Sequence, residues 1–135
     1  MTPRSRRPSQ GRGPVRALGT DLWFRCERDG SYVIGFTDVA QRRNGSFAYY
    51  RGPEVGRRYD PTEYAMTFES DKCVWHLSLP VEGTVIETNA SLLADPRAIN
   101  RDPYGAGWLY RMRPTRSGAL ERIAEQSARR SERAR

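Results

Sequence analysis

Apolar and polar positions alternate over short runs, and turn residues break the runs at close intervals. Leu22-Trp23-Phe24-Arg25-Cys26 predicts a strand, Asp29-Gly30 a hairpin turn, and residues 31–36 the return strand. Thr37 is a capping residue ahead of a short helix that ends near Asn44-Gly45. Residues 46–51 predict an aromatic-rich strand, and Gly52-Pro53-Glu54-Val55-Gly56 a loop. Tyr64, Met66 and Phe68 alternate with Ala65, Thr67 and Glu69, a period-two strand. Further strands are expected at 74–79, 84–89 and 108–112, a turn at 80–83, a short helix near 91–93, and a Pro/Asn/Gly-rich loop over 95–107. From Ser117 the spacing of Leu120, Ile123 and Ala124 is helical and fades into an arginine run. Many short strands with Gly/Pro turns predict a mainly β fold, a small sandwich or barrel.

Charge divides the chain into three expected parts. Residues 1–18 hold five arginines and no acid, and residues 115–135 hold six arginines against three glutamates. Between them stand 12 basic and 13 acidic residues, so the net charge of +7 belongs to the ends. Residues 1–18 are rich in Pro, Gly, Ser and Arg and predict a disordered basic tail, 19–114 one folded domain, and 115–135 a basic helix and tail. A nucleic-acid partner calls for basic residues on a folded face with aromatics interleaved, so an excess confined to the ends argues against one. No apolar run approaches the roughly 20 residues of a membrane helix. Cys26 and Cys73 have neither metal-ligand nor CxxC spacing, and two cysteines do not make a secreted disulfide scaffold. No catalytic triad order or phosphate-cradling glycine loop occurs, so the chain is not expected to be an enzyme.

The chain has one lysine against 22 arginines, and it stands in Glu69-Ser70-Asp71-Lys72-Cys73-Val74-Trp75-His76, which also holds the only histidine. Residues 70–73 separate two predicted strands, so Lys72 falls at a hairpin tip. An amine there is open to a modifying enzyme, although a solvated turn lysine is the plainer reading.

Around this lysine the sequence resembles the glycine cleavage system H-protein family over residues 20–114. Gly35-Phe36-Thr37-Asp38-Val39-Ala40-Gln41, Pro53-Glu54-Val55-Gly56, Glu69-Ser70-Asp71-Lys72, Pro80-Val81-Glu82-Gly83, Asn89, Asp95-Pro96, Asn100, Asp102-Pro103-Tyr104-Gly105 and Gly107-Trp108 follow in the family's order. The resemblance implies a lipoyl-domain barrel-sandwich hybrid of two small antiparallel sheets. It implies lipoate joined to Lys72 by a lipoate ligase or lipoyl transferase, with Glu69, Ser70, Asp71 and Cys73 forming the recognised hairpin. The turn lacks the Met-Lys-Met of biotin carriers. The implied partners are glycine decarboxylase, aminomethyltransferase and dihydrolipoamide dehydrogenase, with the carrier a monomer. The expected setting is a bacterial cytoplasm; the arginine-rich start also resembles a mitochondrial targeting segment.

The match departs from the family near the lysine. Where the family has His-Glu-Trp, this chain has Asp21-Leu22-Trp23, and His76 stands where an aspartate is common. Leu22, Val39 and His76 are therefore the candidates for the cleft that receives the arm. Loss of both acids leaves open a sulfur cargo, as in H-protein-like carriers of a heterodisulfide-reductase-like sulfur-oxidation pathway. A non-lipoylated interaction module also remains open.

Overall fold

The computed structural model describes residues 13–133. Nine strands and four helices run in the order β1 (Arg16–Leu18), β2 (Leu22–Cys26), β3 (Tyr32–Phe36), α1 (Asp38–Asn44), β4 (Phe47–Arg51), β5 (Arg58–Tyr59), β6 (Met66–Ser70), β7 (Val74–Leu77), β8 (Gly83–Thr88), α2 (Ser91–Ala94), α3 (Ala98–Arg101), β9 (Tyr110–Pro114) and α4 (Ala119–Arg133). They form two antiparallel sheets. One has the order β1-β2-β3-β9-β8-β5 and the other β4-β6-β7, and neither closes on itself.

The predicted elements form where local chemistry favours them. Asp29 accepts hydrogen bonds from the Ser31 amide (3.0 Å) and hydroxyl (2.6 Å), and Gly30 takes a positive φ of 84°, so the β2–β3 hairpin turns there. Thr37 caps α1 by accepting from the Ala40 amide at 3.2 Å. Trp23 occupies space that Gly35 leaves open: a Cβ at residue 35 would lie 2.6 Å from the indole. The indole donates to the Pro103 carbonyl at 3.0 Å, which anchors the Asp102–Gly105 loop.

Three expectations change. Arg16–Leu18 is a strand rather than part of a disordered tail, because β2 offers an open edge and Leu18 reaches the core; residues 1–12 lie outside the described residues. Tyr64 is 73% exposed and precedes β6, so the inward alternation begins at Met66. The loop over 95–107 contains α3, whose Ala98 and Ile99 are buried. Leu18 and Leu120, close to the boundaries expected at 18/19 and 114/115, both lie in the core. Helix α4 is also tied to β3 by the Tyr32 hydroxyl, which donates to Glu121.

Asp29 gives a pH test of the first hairpin. The Ser31 hydrogen bonds, with the Arg113 guanidinium 3.2 Å away, hold its carboxyl down to about 2. The folded value is depressed, so the contribution is present above about pH 4, the ordinary aspartate range, and is lost as pH falls toward 2. Asp29→Asn is expected to flatten the stability profile between about pH 4 and 2, measured by urea unfolding at each pH.

Candidate functional site: a strapped lysine beside an apolar cleft

Lys72 sits at the tip of the β6–β7 hairpin and its side chain is exposed. Ser70, buried beneath it, orders the turn: its Oγ accepts from the Lys72 amide at 3.1 Å and the Cys73 amide at 3.4 Å. The Ser70 amide donates to the Cys73 carbonyl at 2.9 Å. Glu69, Asp71 and Cys73 are exposed, and Cys73 is a free thiol.

The tip is strapped to the loop between α1 and β4. The Asp71 amide donates to the Ser46 carbonyl at 3.0 Å, and the Ser46 amide donates back to Asp71 Oδ1 at 2.8 Å. Lys72 Nζ donates to the Arg43 carbonyl at 3.1 Å. Gly45 permits this approach. It holds a φ of +82°, and a Cβ there would stand 2.2 Å from Asp71 Oδ1. Asn100 on α3 fixes the same loop by donating to Gly45 O (2.8 Å) and Gln41 Oε1 (2.9 Å) and accepting from the Phe47 amide (2.9 Å). Asp71→Ala removes the carboxylate half of the strap. It is expected to cost about 1 kcal/mol in a urea melt, and an unchanged midpoint would mean the strap adds nothing.

Beside the strap lies a cleft of about 280 Å³. Leu22, Phe36, Trp75 and Leu77 supply apolar walls, and Asp21, Arg43 and Asn44 supply polar ones. Asp21 forms an ion pair with Arg43, the residue whose carbonyl holds Lys72 Nζ. The structure therefore brings Leu22 to the cleft next to Lys72, but not the other two candidates. Val39 is 53% exposed on α1 and does not line the cleft. His76 faces the opposite side of the sheet, because strand neighbours alternate and Trp75 takes the cleft side. There its Nδ1 lies 3.0 Å from Thr67 Oγ1 and its ring 5.4 Å from that of Tyr64.

Nothing in the sequence pattern marks Arg43, Gly45 and Ser46 for this part. All three act through backbone carbonyls, which leave no side-chain signature; the Asn44-Gly45 turn signal is the one available clue. No cluster of three or more His, Cys, Asp or Glu residues suited to a metal ion exists among the described residues.

A model of the glycine cleavage H-protein family matches residues 16–133, spanning every strand and the hairpin. The chain belongs to the glycine cleavage H-protein family. It is 42% identical over 106 residues to the glycine cleavage system H protein of Alkalilimnicola ehrlichii, covering 78% of this chain and 82% of that one. Against the H protein of Marinobacter nauticus it is 35% identical over 114 residues, covering 84% and 88%. The crystal structure of an H protein from Mycobacterium marinum superposes with a TM-score of 0.69 at 33% identity, covering 87% of this chain and 98% of that one. H proteins are lipoyl carriers rather than catalysts, and their lipoate is covalently attached to a lysine. The family works with glycine decarboxylase, aminomethyltransferase and dihydrolipoamide dehydrogenase. Among the described residues no helix is long and apolar enough to cross a membrane.

Proposed function

We propose that Lys72 is the lipoyl attachment residue of a glycine-cleavage carrier. The observation that carries this reading is the placing of the chain's single lysine: its amine stands exposed at a hydrogen-bonded hairpin tip, beside a cleft with apolar walls. A lipoate ligase or lipoyl transferase would form an amide between Nζ and the lipoyl carboxyl carbon, with adenylate or the donor carrier leaving. Acylation removes the positive charge but keeps one N–H on Nζ, which can still donate to the Arg43 carbonyl. The root of the arm then stays directed over the cleft. When bound, the lipoyl group supplies the disulfide and thiol chemistry that carries the aminomethyl cargo.

Four side chains of the cleft beside the tip fit such a group. Leu22, Phe36, Trp75 and Leu77 offer an apolar surface that can take a dithiolane out of water. Asp21 is the carboxylate at this cleft, beside the leucine that stands where the family has glutamate, and it would face the ammonium of the cargo in competition with Arg43. The relatives reported above all carry the glycine-cleavage name, which favours this cargo over sulfur and a lipoylated carrier over an unmodified module. The protein acts as a monomer, one lipoyl unit with basic ends, in the bacterial cytoplasm.

The test is an intact mass on protein produced with lipoate and a ligase, followed by loading with glycine decarboxylase and glycine. An increment of one lipoyl group, located to Lys72, and subsequent aminomethylation are expected. A chain that stays unmodified ends the carrier reading; a modified chain that accepts no aminomethyl group ends the glycine-cleavage part alone.

A further inference from the structure

Arg43 meets the candidate site twice, by its backbone and by its side chain. Its carbonyl, in the last turn of α1, accepts from Lys72 Nζ at 3.1 Å. Its guanidinium lines the cleft and forms an ion pair with Asp21. The neighbouring Arg42 pairs instead with Asp38, four residues back on the same helix. Successive helix residues stand about 100° apart, so Arg42 stays along the helix surface while Arg43 faces the start of β2. Asp21 is held in place to meet it. The Asp21 carbonyl accepts from the Thr37 amide at 2.9 Å, and the preceding Thr20 carbonyl accepts from Thr37 Oγ1 at 2.7 Å.

Among the residues that line the cleft, Asp21 is the one carboxylate and Arg43 the one cation. Paired, the two charges leave the cleft neutral. An uncharged arm then meets the apolar walls and has no charge to displace. An arm that ends in an ammonium can take Asp21 as its counter-ion only when Arg43 gives it up. Both side chains are about half exposed, Arg43 at 54% and Asp21 at 52%, so the guanidinium can turn into water at small cost. An exposed pair of this kind shifts an equilibrium by a fewfold and no more, which makes it exchangeable rather than fixed.

We infer that Arg43 is a specificity-determining residue of the cleft. By occupying Asp21 it weakens the hold on a cationic, aminomethyl-bearing arm and leaves the hold on the uncharged arm unchanged. Specificity of this kind is a difference of affinities, here between two states of one arm. Arg43 has this part only if Lys72 carries the arm, so the inference deepens the carrier reading and rests on it. The consequence is for release. A carboxylate left free in the cleft would retain the ammonium and slow the loaded arm on its way to the next protein. With Arg43 ready to return, the arm leaves Asp21 without stranding the carboxylate.

The experiment uses the full chain lipoylated on Lys72 and follows the methyl NMR signals of Leu22 and Leu77, two walls of the cleft. The arm is loaded without a partner enzyme. Its reduced thiol, formaldehyde and ammonium ion give the aminomethyl thioether: one C–S and one C–N bond form, and the carbonyl oxygen leaves as water with the S–H and one N–H proton. Arg43→Gln keeps the backbone carbonyl that holds the root of the arm and removes the charge on Asp21's partner. The ratio of cleft-bound to free arm is expected to rise about three- to fivefold for the loaded arm and to stay at the native value for the unloaded arm. The gain should shrink with added salt, since an ammonium then faces an uncompensated carboxylate. Arg43→Lys is expected to stay within about twofold of the native ratio, and in the double variant with Asp21→Asn the gain should vanish. A loaded-arm ratio in Arg43→Gln equal to the native one, or a gain that persists without Asp21, overturns the inference and leaves the carrier reading standing. A chain that takes up no lipoyl group ends both.

Discussion

Replacing Lys72 by arginine is expected to leave a folded chain that takes up no lipoyl group and accepts no aminomethyl group. The two halves of this result have different causes. The fold should be unaffected because the side chain is exposed and its hydrogen bond goes to a backbone carbonyl, Arg43 O, at 3.1 Å. A surface change of this kind lies within about ±0.5 kcal/mol. An arginine also keeps the positive charge and N–H groups that can reach the same carbonyl. The chemistry should vanish because an acyl transfer needs a nucleophile with a free lone pair. A lysine amine can lose its proton and attack, whereas a guanidinium stays protonated and delocalised at any ordinary pH. The loss is therefore one of kind, to the background of the assay. The composition makes the control clean: with 22 arginines and one lysine, the variant has no other side-chain amine for a ligase to use. Intact mass and a glycine decarboxylase loading assay decide it. A lipoyl increment surviving in Lys72→Arg would move the attachment elsewhere and remove the basis of the proposed function.

The same comparison of side chains shows what could be read before the structure. Met66 and Phe68 announce their strand by alternation, and Ser70-Asp71-Lys72-Cys73 between two strands places the lysine at a turn, because turn chemistry and period two are local properties. The cleft is not local. Asp21 and Leu22 at the start of β2, Phe36 at the end of β3, Arg43 and Asn44 on α1 and Trp75 on β7 meet only after both sheets have packed. His76 illustrates the limit from the other side. Alternation assigns Trp75 and His76 to opposite faces, but which face is inward depends on the aromatic core beneath Trp75. Helix α3 is hidden by its setting of Asp, Pro and Asn residues, yet it buries Ala98 and Ile99 and supplies Asn100, which braces the loop under the lysine.

Phe68→Ala should give the largest loss of stability of any change near the site, about 3–5 kcal/mol. Phe68 is fully buried at the centre of an aromatic cluster. Its ring stacks on Tyr50 at 5.0 Å and Trp75 at 5.4 Å, tilts against Phe36 at 5.0 Å and meets Phe47 edge-on at 6.0 Å. Truncation loses the apolar burial of a phenyl group and leaves a cavity whose walls are rings from four other positions. Those rings cannot close in easily. The Tyr50 hydroxyl is held by the Leu109 carbonyl at 2.9 Å, and Phe36 and Phe47 sit on separate sheets. A total stability of 5–15 kcal/mol is usual for a domain of this size, so the variant should retain only a fraction of its folded margin. The effect should also reach the site. Phe68 lies two residues before Ser70, whose hydroxyl orders the Lys72 turn, and it packs on Trp75, a wall of the cleft. Urea unfolding should show a lower midpoint with an unchanged slope, and amide exchange should quicken first along the β6–β7 hairpin. Phe68→Leu separates packing from aromatic stacking, since it restores most of the volume without the ring, and should recover more than half of the loss. A loss below about 1 kcal/mol in Phe68→Ala would show that the cluster does not support the hairpin. The rigid placing of Lys72 would then rest on the Arg43, Ser46 and Asp71 strap alone.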